Sequence, residues 1–368
     1  MTEWNQFKGD PQNGGLRRDL EGPVRLEEAW SVDLAAPVGP PVLDHETVYA
    51  GTERGTLFAL DRETGRRRWA VETQAATDEA PVATRDRVAF ATADGIVRAV
   101  DRATGDPAWR TELQGTEPTA LALSEAGDRL YVGHTAGSTA LAVDSGEAVW
   151  THETETRVVG CPAIADDRAW AGPRVYVATA GEAVICLEAE SGEENWTTPA
   201  DGPAVAGPTV AADLVYVADE SGTLLAMNAD SGQPWFSYEI DGPLASSPTV
   251  LPDAETTFVG AADGYLHVTD TTFGRRKLRG WLFSKKGVPL DGPVSASPVV
   301  VGNVLCVADE TGSLYGLDVA DGCSHLWHRA LDGAISHAPA VGRERLYVGD
   351  DDDGTLTCLA WTPGEPRP

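Results

Sequence analysis

The residues of this sequence best suited to chemistry are three carboxylates placed just ahead of prolines. Asp78 and Glu79 precede Pro81, and Glu117 precedes Pro118. Oxygen donors of this kind, if brought to one point, form a site for a hard cation such as calcium. His337, two residues before Pro339, stands in the same relation to its proline and could approach the same place. The competing account is that these acids serve solvation alone. The run Asp350-Asp351-Asp352-Asp353-Gly354 has the composition of a calcium loop but not its spacing. With Gly354 as the sixth position, the first falls on Gly349. It is expected to be an extended, solvated hairpin.

A second set is basic. Arg275, Arg276, Lys277, Arg279, Lys285 and Lys286 fall within twelve residues and include three of the four lysines. Such a stretch suits docking of an acidic partner or an anion, against the alternative of local salt bridges with surrounding acids. Five cysteines (Cys161, Cys186, Cys306, Cys323 and Cys358) contain no CxxC pair and no adjacent pair, and the odd count favours reduced thiols. The seven histidines show no metal-ligand spacing. His325 and His328, three apart on a strand, are expected on opposite faces. A nucleophile elbow, a phosphate-binding loop and a zinc signature are all absent from the sequence.

Net charge narrows the field further. Asp plus Glu is 57 against 28 Lys plus Arg in 368 residues, a formal charge of −29. A general basic surface for nucleic acid is excluded by that balance. Self-repulsion of this size is relieved when molar salt shortens the screening length to about 3 Å. An acid-rich, lysine-poor chain is therefore expected to come from a halophilic, haloarchaeal-type setting. No apolar run approaches the roughly 18 residues that span a membrane. The first residues, Met1-Thr2-Glu3-Trp4-Asn5, lack a basic region followed by an apolar segment. A cytoplasmic location is the expectation, with an exported mature form as the alternative if a leader has been removed.

The elements that must position these residues follow from an internal repeat. An entry proline leads to an apolar run, a glycine turn, a second apolar run, an acidic-to-glycine turn and a tryptophan. Second-strand copies begin at Val48-Tyr49-Ala50, Val88-Ala89-Phe90, Leu130-Tyr131-Val132, Val175-Tyr176-Val177 and Val215-Tyr216-Val217, then at Thr257-Phe258-Val259, Leu305-Cys306-Val307 and Leu346-Tyr347-Val348. That makes eight. Alternating β-branched and aromatic residues give a period of two, and glycines mark the hairpins. Gly55 and Gly65 are ten apart, as are Gly95 and Gly105, Gly222 and Gly232, Gly264 and Gly274, and Gly312 and Gly322. Trp69, Trp109, Trp150 and Trp196 each stand four residues after a turn glycine, while Trp235, Trp281 and Trp327 deviate. All are expected to be architecture packed between neighbouring units.

The pattern predicts an all-β, eight-bladed β-propeller of four-stranded antiparallel blades, forming one domain over 1–368. The eighth unit lacks an outer Trp strand, and residues 28–34, Glu28-Ala29-Trp30-Ser31-Val32-Asp33-Leu34, form such a strand with no blade before them. Joining the two closes the ring and removes open edges. Residues 1–27 are then a lead-in and 36–361 the repeats.

These repeats, with the opening Trp4-x-x-Phe7-x-Gly9-Asp10-Pro11-x-Asn13-Gly14, resemble the pyrroloquinoline-quinone (PQQ)-like repeat family, which includes quinoprotein dehydrogenases and BamB-like proteins. The resemblance spans nearly the whole chain. It implies the fold, and a central channel that in the alcohol-oxidising members holds PQQ and calcium, commonly over a disulfide of neighbouring cysteines. No such cysteine pair exists here, and the inter-strand loops are mostly four or five residues, too short for a substrate lid. The expectation is a non-catalytic scaffold that binds a protein partner as a monomer, with no cofactor. The alternative is a quinoprotein-like enzyme, or a carrier of metal or cofactor, working from the channel.

Overall fold

In the computed structural model, which describes residues 4–166, 172–275 and 287–363, eight antiparallel sheets are arranged as successive blades. Blade one shows the pattern: Val42–Leu43, Thr47–Ala50, Thr56–Asp61 and Arg67–Glu72, hydrogen-bonded in that order from the axis outward. Each blade is sandwiched between two others, so its second and third strands are buried on both faces. Only the fourth strand alternates with solvent, as in Arg67–Glu72, where Trp69 points inward between exposed neighbours.

The ring closes as the sequence requires. Pro23–Asp33 pairs antiparallel with Thr355–Pro363 and becomes the outer strand of blade eight. It starts earlier than the expected 28–34. Blade seven gains an addition the sequence did not suggest, because Leu16–Arg17 pairs parallel with Val299–Val301 at its inner edge. Blade six shows only Val288–Pro289 of its outer strand among the described residues.

A β-bulge recurs in the fourth strands. Trp69 faces Ala59 while Arg67 faces Leu60, so Arg68 is the extra residue. The same shift occurs at Ala29, Ala108, Val149, Asn195 and Leu326. The bulge turns the indole toward the next blade and leaves the extra residue on the exposed side, except in blade seven, where Leu326 packs partly against the core. It also corrects the reading of the histidines. With Leu326 bulged out, His325 and His328 lie on one face, 5.9 and 4.9 Å from the Tyr315 ring.

Each indole is bolted to the following blade. Trp30, Trp69, Trp109, Trp150 and Trp196 donate Nε1–H to the carbonyls of Arg62, Arg102, Val143, Ala189 and Ala229, all at the third-to-fourth-strand turn. Trp327 completes the circuit to Pro23 O. The glycine of the same turn lies flat on the ring. Gly192 has φ +73° and a Cβ there would come within 2.6 Å of Trp150, so Gly serves both the left-handed turn and the close approach. Trp281 lies outside the described residues.

Trp235 keeps such a bond, to Thr272 O in the turn of blade six, but not the buried place of the ring, and so corrects the expectation that every Trp packs between blades. In blade five Phe236 pairs with Ala226 and packs against Tyr216 and Gly274, the place an indole takes elsewhere. Trp235 sits on the bulge and is 60% exposed. It stands three residues after Gly232 rather than four.

Candidate functional site: the central channel and its lead-in

The entry segments of all eight blades converge on the axis and enclose a cavity of about 550 Å³. Asp78, Glu79 and Glu117 line one side of it, and Ser246, Ser247, Ser295, Ser297 and Ser336 come from blades six, seven and eight. His337 also lines the cavity, as do Cys161 and Phe7.

The structure thus brings the three predicted carboxylates and His337 to one cavity, though each has its own environment. Glu117 faces Arg157 at 3.6 Å, and both side chains are more than half exposed, so the pair is weak. His337 Nε2 is 3.3 Å from Asp351 Oδ1. Among the described residues no group of three or more His, Cys, Asp or Glu side chains is arranged to hold a metal ion. Glu79 lies deep in the ring, and burial, reinforced by the charge of Asp78, pushes its carboxyl up to about 7 against the pull of the Ala120 backbone. Its side chain still faces channel water.

That shift has a measurable consequence. Between pH 4.5 and 7 the folded state keeps a proton on Glu79 that the unfolded chain releases, so its contribution is intact below 4.5 and lost by pH 7. Glu79→Gln should therefore be neutral at pH 4.5 and stabilising at pH 8. Because water reaches the side chain, the gain is on the order of 1 kcal/mol rather than the full shift. Urea unfolding of both proteins at the two pH values, in one fixed salt concentration, tests this. Equal differences at both pH values would contradict it.

The acidic run of blade eight, expected to be an extended, solvated hairpin, is exposed at Asp352 and Asp353 but engaged at its start. Asp350 is buried and accepts the N–H groups of Asp352 and Asp353. Asp351 and Asp352 accept those of Ser336 and Ala334. The run staples the second strand of blade eight to its own entry segment.

Sequence reasoning overlooked the lead-in. Leu43, Ala83, Ile164, Val210 and Val300 are all the second residue after an entry proline, and their N–H groups donate to the carbonyls of Trp4, Asn5, Pro11, Gln12 and Gly15. Leu123 donates to Gln6 Oε1. Lys8 reaches blade six through Pro248 O and Thr249 Oγ1, at 2.6 and 2.8 Å. Arg17 reaches blade eight through Val341 O. The segment therefore visits every blade and covers the inner strand edges, which would otherwise leave buried donors unpaired. Asn13, at φ +57° and buried, donates Nδ2–H to the Cys161, Pro162 and Pro208 carbonyls. A signal was available in the composition: Lys8 is the one lysine outside blade six.

All five cysteines are buried. Cys161 sits in the channel wall, its thiol pushed well above its ordinary value by burial and by the charges of Glu79 and Asp10.

Of the predicted basic residues, Arg276, Lys277, Arg279, Lys285 and Lys286 lie outside the described residues. Arg275 is described. It is exposed, with its guanidinium 5.1 Å from the centre of the Phe273 ring.

The sequence matches the family model described as outer membrane protein assembly factor BamB over residues 27–157 and 137–366. The chain belongs to this family. Among solved structures, BamB from Moraxella catarrhalis is 21% identical with a TM-score of 0.71, over 92% of this chain and 100% of that one. A europium-containing methanol dehydrogenase is 14% identical with a TM-score of 0.78, covering 97% and 98% of the two chains. The quinohemoprotein alcohol dehydrogenase of Comamonas testosteroni is 13% identical with a TM-score of 0.78, over 100% of this chain and 82% of its own. At these identities the likeness to solved structures is one of fold, and the same ring carries an assembly factor and two dehydrogenases. No curated protein shows a significant sequence match. For this BamB-family propeller, then, function has to be argued from its own side chains. Among the described residues no helix is long and apolar enough to cross a membrane.

Proposed function

We propose that the chain is a non-catalytic binding platform, a salt-adapted cytoplasmic monomer whose rigid ring presents the cationic stretch of blade six to an acidic protein partner. The observation that carries this reading is the charge inversion beginning at Arg275. Six basic residues within twelve (Arg275, Arg276, Lys277, Arg279, Lys285 and Lys286) stand on a chain of net charge −29. A local patch of opposite sign steers one class of partner and repels others.

A second reading, a cofactor or cation carrier, is favoured by the channel cavity and its carboxylates. The lining does not suit the quinone. PQQ is a tricarboxylate, and Asp78 and Glu117 in the lining meet it with like charge.

Triple charge reversal at Arg275, Arg276 and Lys277 should abolish recovery of a specific partner by affinity capture at moderate salt. Calorimetric titration of PQQ, with and without calcium, into the wild-type protein should give no saturable heat. Unchanged partner recovery would remove the platform reading. Saturable quinone binding that Glu79→Gln abolishes would establish the carrier.

A further inference from the structure

Two neighbouring positions at the outer rim depart from what most other blades carry; blade seven, with Asp321 before its turn glycine, also lacks the hydroxyl. At the bulge of the fourth strand the other described blades carry Ala29, Arg68, Ala108, Val149, Asn195 and Leu326, and blade five carries Trp235. Just before the turn glycine, Thr64, Thr104, Ser145, Ser191 and Ser231 occupy blades one to five, and Phe273 occupies blade six. The hydroxyls at this place serve the turn. Thr64 Oγ1 donates to Asp61 Oδ1 at 2.8 Å, and Ser231 Oγ to Asn228 Oδ1 at 2.9 Å. Phe273 cannot make that bond. Its ring is 64% exposed, more than any other large apolar side chain described, with Trp235 next at 60%.

The two departures meet. Trp235 Nε1–H donates to Thr272 O at 3.0 Å, which fixes the indole beside the peptide that leads into Phe273. Arg275 lies over the Phe273 ring, and the turn beneath is held by Asp270, which accepts the N–H groups of Thr272, Phe273 and Arg275. Two aromatic rings and an arginine, held by a formed turn, have the composition of an interaction hot spot. Phe273 forgoes the turn hydrogen bond, and neither ring gains burial, although the Trp235 indole keeps one inter-blade hydrogen bond. Local rules broken without a folded-state return mark a site used for something else.

We infer that Trp235, Phe273 and Arg275 form an anchor for an acidic segment of a partner protein, one that lays an apolar side chain on the two rings. This inference rests on blade six being the docking face. Charge complementarity chooses the occupant: Arg275 is the first residue of the cationic stretch in sequence, while a chain of net charge −29 repels acidic segments elsewhere. The contribution beyond that reading is an apolar anchor, without which a charged contact alone would have little specificity and would fade with salt.

The test places the photoreactive residue p-benzoylphenylalanine at position 235, at position 273 and, as a control, at position 104, the matching turn position of blade two, in the full chain within its own cells. Positions 235 and 273 should crosslink to one shared segment of another protein. Mass spectrometry should locate the adducts on an apolar residue flanked by Asp or Glu, and Arg275→Glu should lower the yield at least about tenfold. Position 104 should give no such adduct. Adducts no stronger than those of the control, adducts on a second copy of this chain, or adducts on a segment without acidic residues would overturn the inference. A companion variant, Trp235→Ala with Phe273→Ser, restores the side chains other blades tolerate and should also lose the partner. If charge reversal at Arg275, Arg276 and Lys277 removes the partner and this variant retains it, the platform reading stands and the aromatic anchor does not.

Discussion

Trp150→Ala should lower the unfolding free energy by about 3–5 kcal/mol, whereas Trp235→Ala should change it by no more than about 0.5 kcal/mol. The two residues sit on equivalent strands one position apart in register, so the contrast isolates what the bulge does. Trp150 is 9% exposed, with its ring between Tyr131, at 5.8 Å, and the turn glycine Gly192 of the next blade. Its Nε1–H donates to Ala189 O at 2.9 Å, and the Tyr131 hydroxyl donates to the same oxygen at 3.2 Å. Truncation therefore leaves that carbonyl paired. The loss lies in apolar contact and in the cavity opened between blades three and four. A closed ring cannot open one interface to relax without straining the next, so little of the cavity should be recovered. Trp235 has no such enclosure, because Phe236 already fills the interface. Urea unfolding of the three proteins at fixed salt reads the difference directly. A cost for Trp235→Ala near that of Trp150→Ala would mean that the exposed rim is structural after all.

The strands, the blade count and the ring closure were legible because they follow from local pattern: apolar alternation, glycines at constant spacing and a Trp strand without its own blade. Convergence of Asp78, Glu79 and Glu117 on the channel was legible too, since the entry prolines place their segments at the axis. The bulge was not. It adds one residue without altering the composition of the strand, so His325 and His328 read as opposed and Trp235 read as buried. The one-residue shortening from Gly232 to Trp235 was the available signal, and its meaning depends on Phe236 taking the vacated place. Asp350 to Asp353 were misread for another reason. The partners of Asp351 and Asp352, Ser336 and Ala334, are distant in sequence and carry no mark of the pairing. The lead-in was least legible of all. Five of its eight blade contacts run through its own backbone carbonyls, and a backbone carbonyl looks the same in every residue.

The lead-in's lysine supplies a test of that segment which does not depend on deleting it. Lys8 is 1% exposed, and burial, opposed by the charge of Asp10, lowers its ammonium to about 7. Asp10 is shifted upward by its own burial, with the N–H groups of Gln12 and Gly14 and the charge of Lys8 working against the shift. Between pH 7 and the ordinary lysine value of 10.5 the unfolded chain holds a proton that folded Lys8 has released. Stability assigned to Lys8 must therefore rise with pH across that window, and it is lost as pH falls through 7. Other buried groups work in the opposite sense at the upper end. Burial raises the thiols of Cys161, Cys186, Cys306 and Cys358, so their contribution fades once pH passes 9. A comparison with Lys8→Met cancels them. From pH 7 to 8.5 the unfolding free energy of the wild type should gain about 2 kcal/mol on that of the variant, at about 1.4 kcal/mol per pH unit. Urea unfolding at three pH values in constant salt measures the gap. A gap that stays constant would mean that Lys8 keeps its proton in the folded ring. Its contacts with Pro248 and Thr249 would then have to be those of a buried cation, held by a neighbouring charge strong enough to offset its loss of water.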